Sequence, residues 1–450
     1  MMHRMIRFFL CFQVLTALPA TAADLLEIYR GALSSDPAYN AARANWTALQ
    51  EKLPQGRAGL LPQANFSLNT QKNDRDLRFR SPGIPRNESQ FNTNAMNLTI
   101  TQPIYRRQNY VAFEQSKTQL EQADAQIAQA AQDLITRVAQ AYFDVLLAQD
   151  NVAFSGAQKA AIAEQLAQAK RNFEVGTATI TDTHDAQARY DLTISQEIAA
   201  QNDLEVKRRQ LATLIGRNPP ALQPLGGQLP LTLPVPARIE DWVEHALRSS
   251  PLVHQAEAAL NFATQQISLS RAGHHPTLDA FATYSDTGSG ASTAGASGGG
   301  TDITTKIIGL QLAIPIFQGG AVNSRVREAI ANEEKARQDL ETARRNAEFT
   351  ARQGYLGVTS GVAQVKALEA ALVSSQSSLE STRLGREVGV RTQVDVLNAQ
   401  QQLFSTRRDL AQARYNYILS LLRLKSATGQ LTADDVQQVN AWLNPSLKNN

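Results

Sequence analysis

Arg391, Asp395 and Asn398 follow one another at i, i+4 and i+7, a spacing that sets three side chains on one helix face. A guanidinium, a carboxylate and an amide aligned in this way can attract or repel ions and can link one helix to another. In an isolated helix the plain reading is an exposed i, i+4 pair that stabilises it by about 0.3 kcal/mol. His184, His245, His254, His274 and His275 have no second His or acid at metal-ligand spacing on one face. His274 and His275 fall where a helix gives way to a strand and read as turn or interface residues. No nucleophile elbow, Walker loop or dinucleotide fingerprint is present. The Gly/Ser run Gly288–Gly300 lacks a Lys-Ser/Thr ending and opens no helix, so it reads as an exposed loop. These residues predict no enzyme, no metal and no cofactor.

The triad stands just after Val388-Gly389-Val390, and an equivalent turn, Val175-Gly176-Thr177, occurs earlier. Gly in each supplies a left-handed residue after a helix. The pairing is part of a repeat. Arg57-Ala58-Gly59 recurs as Arg271-Ala272-Gly273, Pro103-Ile104-Tyr105 as Pro315-Ile316-Phe317, and Glu174-Val175-Gly176 as Glu387-Val388-Gly389, at offsets of 212 to 214. Asp182 matches Asp395, and Gly216 matches Gly429. The chain after its leader is therefore expected to be two copies of one unit, 23–237 and 238–450, joined by the Pro-rich stretch Asn218–Pro236.

Each unit predicts the same order. A helix of about 35 residues comes first (Asp24–Arg57; Ile239–Arg271), then two alternating strands around a loop, a very long helix, a Gly turn and a shorter helix. The long helices, near Arg107–Phe173 and Gln318–Arg386, contain no Pro and are rich in Ala, Gln, Glu and Arg. At 1.5 Å per residue each extends about 100 Å. Helices of that length need partner helices along them, and two short helices stacked end to end have the required length.

The strands alternate cleanly. Ala64, Phe66 and Leu68 alternate with Asn65, Ser67 and Asn69; Met96, Leu98 and Ile100 alternate with Asn97, Thr99 and Thr101. Ile308, Leu310, Leu312 and Ile314 repeat the pattern, and Leu278, Ala280, Ala282 and Tyr284 form a weaker face because Phe281 falls on the other side. Such runs, apolar on one face and polar or small on the other, suit strands of a transmembrane barrel. Four strands cannot close a barrel and lipid forbids open edges, so several chains must share one. The segments Asp74–Gln90 and Asp286–Asp302 read as exposed loops.

Composition agrees. The 450 residues are 43% hydrophobic and 19% charged, with 6% aromatics, which excludes a disordered chain. A mean hydropathy of -0.30 excludes a protein of several membrane helices. The formal charge of +3 gives no argument for nucleic acid. Arg4 and Arg7, the apolar run Phe8–Leu18 and Ala20-Thr21-Ala22 form a signal peptide over 1–22, and an exported chain follows. Its removal takes Cys11, the only cysteine, and with it any disulfide or N-terminal lipid attachment.

The repeat, the Pro-Ile-Tyr and Pro-Ile-Phe strand exits, Val-Gly-x-x-Thr-x-x-Asp-Val-Leu at Val388–Leu397 and Ala413-Arg414-Tyr415-Asn416-Tyr417 resemble the TolC family of outer-membrane efflux and type I secretion channels. The resemblance covers essentially the whole chain after the leader. It implies a mainly α fold with transmembrane β: a homotrimer with a 12-stranded β-barrel in the outer membrane, four strands per chain, above a long α-helical barrel in the periplasm. An equatorial belt would form from the Pro-rich linker and the C-terminal segment. The implied function is a passive exit duct, gated at its periplasmic tip, joined through a periplasmic adaptor protein to an inner-membrane pump or ABC exporter. Val175, Gly176, Thr177, Val388, Gly389 and Val390 would dock the adaptor. Arg391 would pair with Thr181 and Asp182, and Asp395 would form an acidic ring at the constriction. Two positions depart from the family: Arg386 replaces an aromatic gate residue, and Asn398 a second acid. An Arg386–Asp182 ion pair is expected in compensation. The competing reading is a periplasmic coiled-coil rod that binds partners and has no pore.

Overall fold

The computed structural model describes residues 22–443 except 79, 81–82, 84–85, 228 and 292–298. The expected leader, with Cys11, lies outside the described residues apart from Ala22.

The first helical stretch of each unit is not continuous. Instead of Asp24–Arg57 there are α1 (Leu25–Ser35), α2 (Pro37–Gln50) and α3 (Lys52–Ala58). The counterpart is broken into α6 (Ile239–Ser249) and α7 (Pro251–Arg271). Both main breaks precede a proline, whose ring drives the residue before it out of the helical region. Asp36 and Ser250 sit at φ/ψ of -66/118 and -65/125. Pro37 and Pro251 then open the next helix, where a missing N–H costs nothing, and Asp36 caps α2 by accepting from the Ala38 and Tyr39 amides.

Four strands follow from the alternation: β1 (Gln63–Leu77), β2 (Asn87–Arg106), β3 (Thr277–Ser289) and β4 (Thr301–Ala313), hydrogen-bonded in that order and antiparallel throughout. Phe66 lies opposite Leu98, Leu98 opposite Tyr284, and Ala280 opposite Leu310, so the apolar residues of all four strands share one face. That face is bare: Phe66 is 60% exposed and Ile308 90%. Phe281, the residue that breaks the alternation, lies on the polar face against Gly309, where an added Cβ would come within 2.9 Å of its ring. The loops are shorter than expected. The strands run on through Leu77, Asn87, Ser289 and Thr301, where polar cross-strand pairs replace apolar ones, among them Gln90 with Asp74 and Thr304 with Asp286, both at 3.3 Å. β1 and β4 keep unpaired outer edges within the chain.

Two long helices carry the rest, α4 (Arg107–Glu174) and α8 (Ala321–Glu387), with α5 (Ile180–Ile215) and α9 (Gln393–Ala427) returning beside their far halves. Near the sheet α4 packs on α2, α3 and α7, and α8 on α6 and α7; farther away the order is α5, α4, α9, α8. Short helices thus stack end to end along the long ones, which the length argument requires. Midway, the linker and α10 (Ala433–Asn440) form a collar. Ala23 bridges Leu222, and Leu225 bridges Leu443. Tyr142 donates to the Gln223 carbonyl at 2.9 Å, and Tyr417 to the Thr232 carbonyl at 3.0 Å. Tyr142, Phe143, Tyr417 and Ile418 are buried there, with Phe143 edge-on to Tyr142 and tilted against Tyr415 at centroid distances of 5.5 and 5.6 Å.

Candidate functional site

The end of the helical stalk is built by two matching turns. After α4, Val175 closes the helix and Gly176 takes φ +77. Its amide reaches the Phe173 carbonyl at 3.0 Å and the Thr177 amide reaches Asn172 at 2.8 Å, the paired bonds of a Schellman motif. After α8, Gly389 takes φ +84, with bonds to Arg386 at 3.0 Å and from Val390 to Gly385 at 2.8 Å. Gly is required at both because a side chain at positive φ is strained. Val175, Val388 and Val390 project into solvent at 71%, 67% and 76% exposure.

Each returning helix then opens on a capping box. The Thr179 hydroxyl accepts from the Asp182 amide at 3.2 Å, while Asp182 accepts from the Thr179 amide at 3.0 Å. Thr392 and Asp395 repeat this at 3.2 and 2.9 Å. Thr179 and Thr392 were missed in the sequence, although Thr-x-x-Asp occurs at both sites with the capping-box spacing. The Asp395 carboxyl is held below the usual carboxylate range, first by the Thr392 amide, then by its hydroxyl, with a smaller contribution from the Arg391 charge.

Two expectations change here. Arg391 lies in the turn before α9, since Thr392 is the N-cap, and therefore does not share a helix face with Asp395 and Asn398. Its amide bonds the Gly385 carbonyl at 3.1 Å and its side chain lies over Gly385. Arg386 reaches Gln168 Oε1 at 2.9 Å rather than Asp182, whose Oδ2 is engaged by its own cap. Thr181 makes no side-chain hydrogen bond among the described residues of one chain. Asn398 accepts from Arg189 Nη2 at 2.8 Å, and Arg189 Nη1 reaches Gln401 at 3.3 Å. With Gln393 donating to Gln165 at 2.5 Å, these bonds tie the α4/α5 hairpin to the α8/α9 hairpin within a single chain. Gln165, Gln168, Arg189 and Gln401 carried no signal in helices where Gln is common.

The wall above the tip is polar on one side. Tyr142 faces the collar; Gln140 and Asp144, two residues either way, turn about 200° from it. They line a concavity of about 810 Å³ with Arg137, Gln353 and Arg423. Arg423 donates to Gln140 and Gln140 to Asp144, both at 2.7 Å. At the collar, burial raises the Asp36 carboxyl, but the hydrogen-bonded Arg137 guanidinium and the two capping amides outweigh it and leave it lowered. Asp150 is the opposite case: burial raises it, and the Tyr415 hydroxyl at 2.7 Å only partly offsets this. Among the described residues no group of three His, Cys, Asp or Glu is placed to hold a metal. His274 bonds Asn323 at 3.1 Å and His275 bonds Tyr105 at 3.2 Å.

The family model for outer membrane efflux proteins matches residues 28–217 and 242–430. The chain is 34% identical to outer membrane protein TolC of Vibrio cholerae over 427 residues, covering 95% of each. It is 30% identical to alkaline protease secretion protein AprF of Pseudomonas aeruginosa, covering 96% of this chain and 89% of that one. Its fold matches the solved outer membrane protein VceC of Vibrio cholerae with a TM-score of 0.75 at 19% identity, over 90% of this chain and 96% of the other. It also matches the CmeC outer membrane channel of Campylobacter jejuni with a TM-score of 0.77 at 17% identity, over 93% and 90%.

Proposed function

We infer the function from the family: this chain belongs to the outer membrane efflux protein family, and it serves as an outer-membrane exit duct for efflux and type I secretion. It sits in the outer membrane of a Gram-negative cell with its helices in the periplasm. The observation that carries this reading is the four-stranded sheet, bare on its apolar face and unpaired at both edges, rooted on two helices about 100 Å long. Lipid covers such a face but forbids open edges, so β1 of one chain pairs with β4 of the next, and three chains close twelve strands. The helices support the same closure. The outermost two, α5 and α8, expose Leu192, Ile198 and Val206 on one and Phe349, Leu356 and Val373 on the other, which suits neighbouring copies.

The chain is read as a channel rather than an enzyme, built of two units, 23–237 and 238–450. Polar side chains such as Gln140, Asp144 and Arg423 line the duct. No energy-coupling motif is present, so flow is driven by an inner-membrane pump or ABC exporter joined through a periplasmic adaptor. The adaptor docks on the turns Val175-Gly176-Thr177 and Val388-Gly389-Val390, whose exposed valines suit a protein surface. At rest, Arg386, Arg391, Thr181, Asp182, Asp395 and Asn398 hold the tip closed. Within a chain the links run from Arg386 to Gln168 and from Asn398 to Arg189; Arg391 is left to reach Thr181 and Asp182 of a neighbour. Docking releases these links and lets α8 and α9 swing outward.

The test is ion current through a planar bilayer carrying the detergent-extracted trimer. Discrete steps of current support the duct. A well-folded trimer that never conducts would establish the poreless coiled-coil rod instead.

A further inference from the structure

We propose that a cleft at the foot of the barrel, lined by Tyr105, Arg107, Tyr110 and His275, binds the phosphate of a phospholipid head group in the inner leaflet of the outer membrane. The cleft has a volume of about 570 Å³. Its height in the membrane follows from the register. Tyr105 lies opposite Leu278, and Leu278 opposite Leu312, so Tyr105 belongs to the lowest row of the lipid-facing surface. Exposed apolar residues stand at the same level or just below it: Ile104, Ile316 and Phe317 are 48%, 95% and 86% exposed. The long helices begin directly beneath, which makes this the periplasmic edge of the bilayer.

The chemistry of the cleft differs from that of the band above it. Arg106 is committed to Asp279 by two bonds of 2.7 and 2.6 Å. Its neighbour Arg107 is exposed and makes no hydrogen bond or ion pair among the described residues. A guanidinium at the level where lipid head groups lie finds its match in a phosphate, which accepts its planar fork through two oxygens. Tyr105 and Tyr110 are 39% and 44% exposed, and their amphipathic rings favour the boundary between hydrocarbon and water. The Tyr105 hydroxyl is fixed by His275 Nδ1 at 3.2 Å, leaving His275 Nε2 without a partner among the described residues. Cation, hydroxyls and aromatic faces therefore converge where a head group and the first carbons of its chains would lie. The assignment rests on the barrel spanning the outer membrane and is independent of the gate at the tip.

The trimer released from mild detergent micelles containing dioleoyl phosphatidylglycerol is examined by native mass spectrometry. Parallel samples contain dioleoylglycerol or inorganic phosphate instead. The wild type is expected to retain phosphatidylglycerol, up to one per chain, and to hold the uncharged lipid and inorganic phosphate at least tenfold more weakly. Arg107→Gln should weaken retention about tenfold, Arg107→Lys should recover most of it, and Tyr105→Phe should give an intermediate loss. The same spectra report whether each variant is a trimer; should Arg107→Gln fail to assemble, Tyr105→Phe decides. Equal retention of the uncharged lipid, equal binding of inorganic phosphate, or no difference between wild type and variants would overturn the site. Loss of bilayer current with retention intact would count against the duct and leave the lipid site standing.

Discussion

The collar and the tip of the stalk are held together by different physics. At the collar Tyr142, Phe143, Tyr417 and Ile418 lose nearly all contact with water, and each such side chain contributes about 1.5–3 kcal/mol through burial. At the tip Val175, Val388 and Val390 stay in solvent; only small apolar clusters around Leu166 and Val396 are buried there, and the turns themselves are ordered by two Schellman motifs, two capping boxes and a few side-chain bonds between hairpins. Apolar burial is diffuse and returns only when the whole interface re-forms. Polar links are discrete and break one at a time. A duct that must stay assembled yet open at one end needs the first kind at its waist and the second at its mouth.

The largest effect that tests this contrast is at the collar. Tyr142→Ala or Phe143→Ala should lower stability by about 3–5 kcal/mol, seen as a drop in the denaturant midpoint, while trimers that do form conduct as before. A change in resting current from either variant would erase the distinction between waist and mouth. Next come the caps. Thr179→Ala and Thr392→Ala should each cost about 1 kcal/mol, read as faster protease cleavage at the tip with the collar melt unmoved.

Acid gives a third test. The folded Asp395 carboxyl lies below its unfolded value, so its contribution is present above the unfolded value, near pH 4, and disappears as pH falls through the folded one. Asp36 at the collar follows the same sign, whereas Asp150 lies above its unfolded value and its burden is relieved by protonation. Current at the tip is therefore expected to rise in acid before the collar melts. Collar and tip failing together would remove the separation. Smallest is Asn398→Asp, which places a second carboxylate beside Asp395 and pairs it with Arg189. A modest gain in cation over anion permeability, measured as reversal potential, is expected without a change in stability.

What the sequence disclosed follows from how local each signal is. The alternation at Phe66, Leu98 and Ile308, the unbroken helix-forming runs and the paired Val-Gly turns are short-range patterns, and the fold reproduces them. The breaks at Asp36-Pro37 and Ser250-Pro251 were equally local; the periodic apolar pattern continues across them and hides the steric rule. The caps at Thr179 and Thr392 were also readable, yet the acids they hold drew attention as partners for arginines. The remainder was not legible. Arg386 could reach Gln168 or Asp182, and Arg189 could reach Asn398, only through the way two helical hairpins lean together. That lean is set by packing along the whole of α4 and α9, far from the residues it brings into contact.

The most direct test of a gated duct compares single-channel conductance of the wild-type trimer with Arg391→Ser in planar bilayers. Arg391 lies in an exposed turn, so its loss should leave stability within about 0.5 kcal/mol. A small wild-type conductance that rises several-fold in the variant, with an unchanged melt, is the result expected here. Equal conductance from two equally stable trimers would contradict the gate.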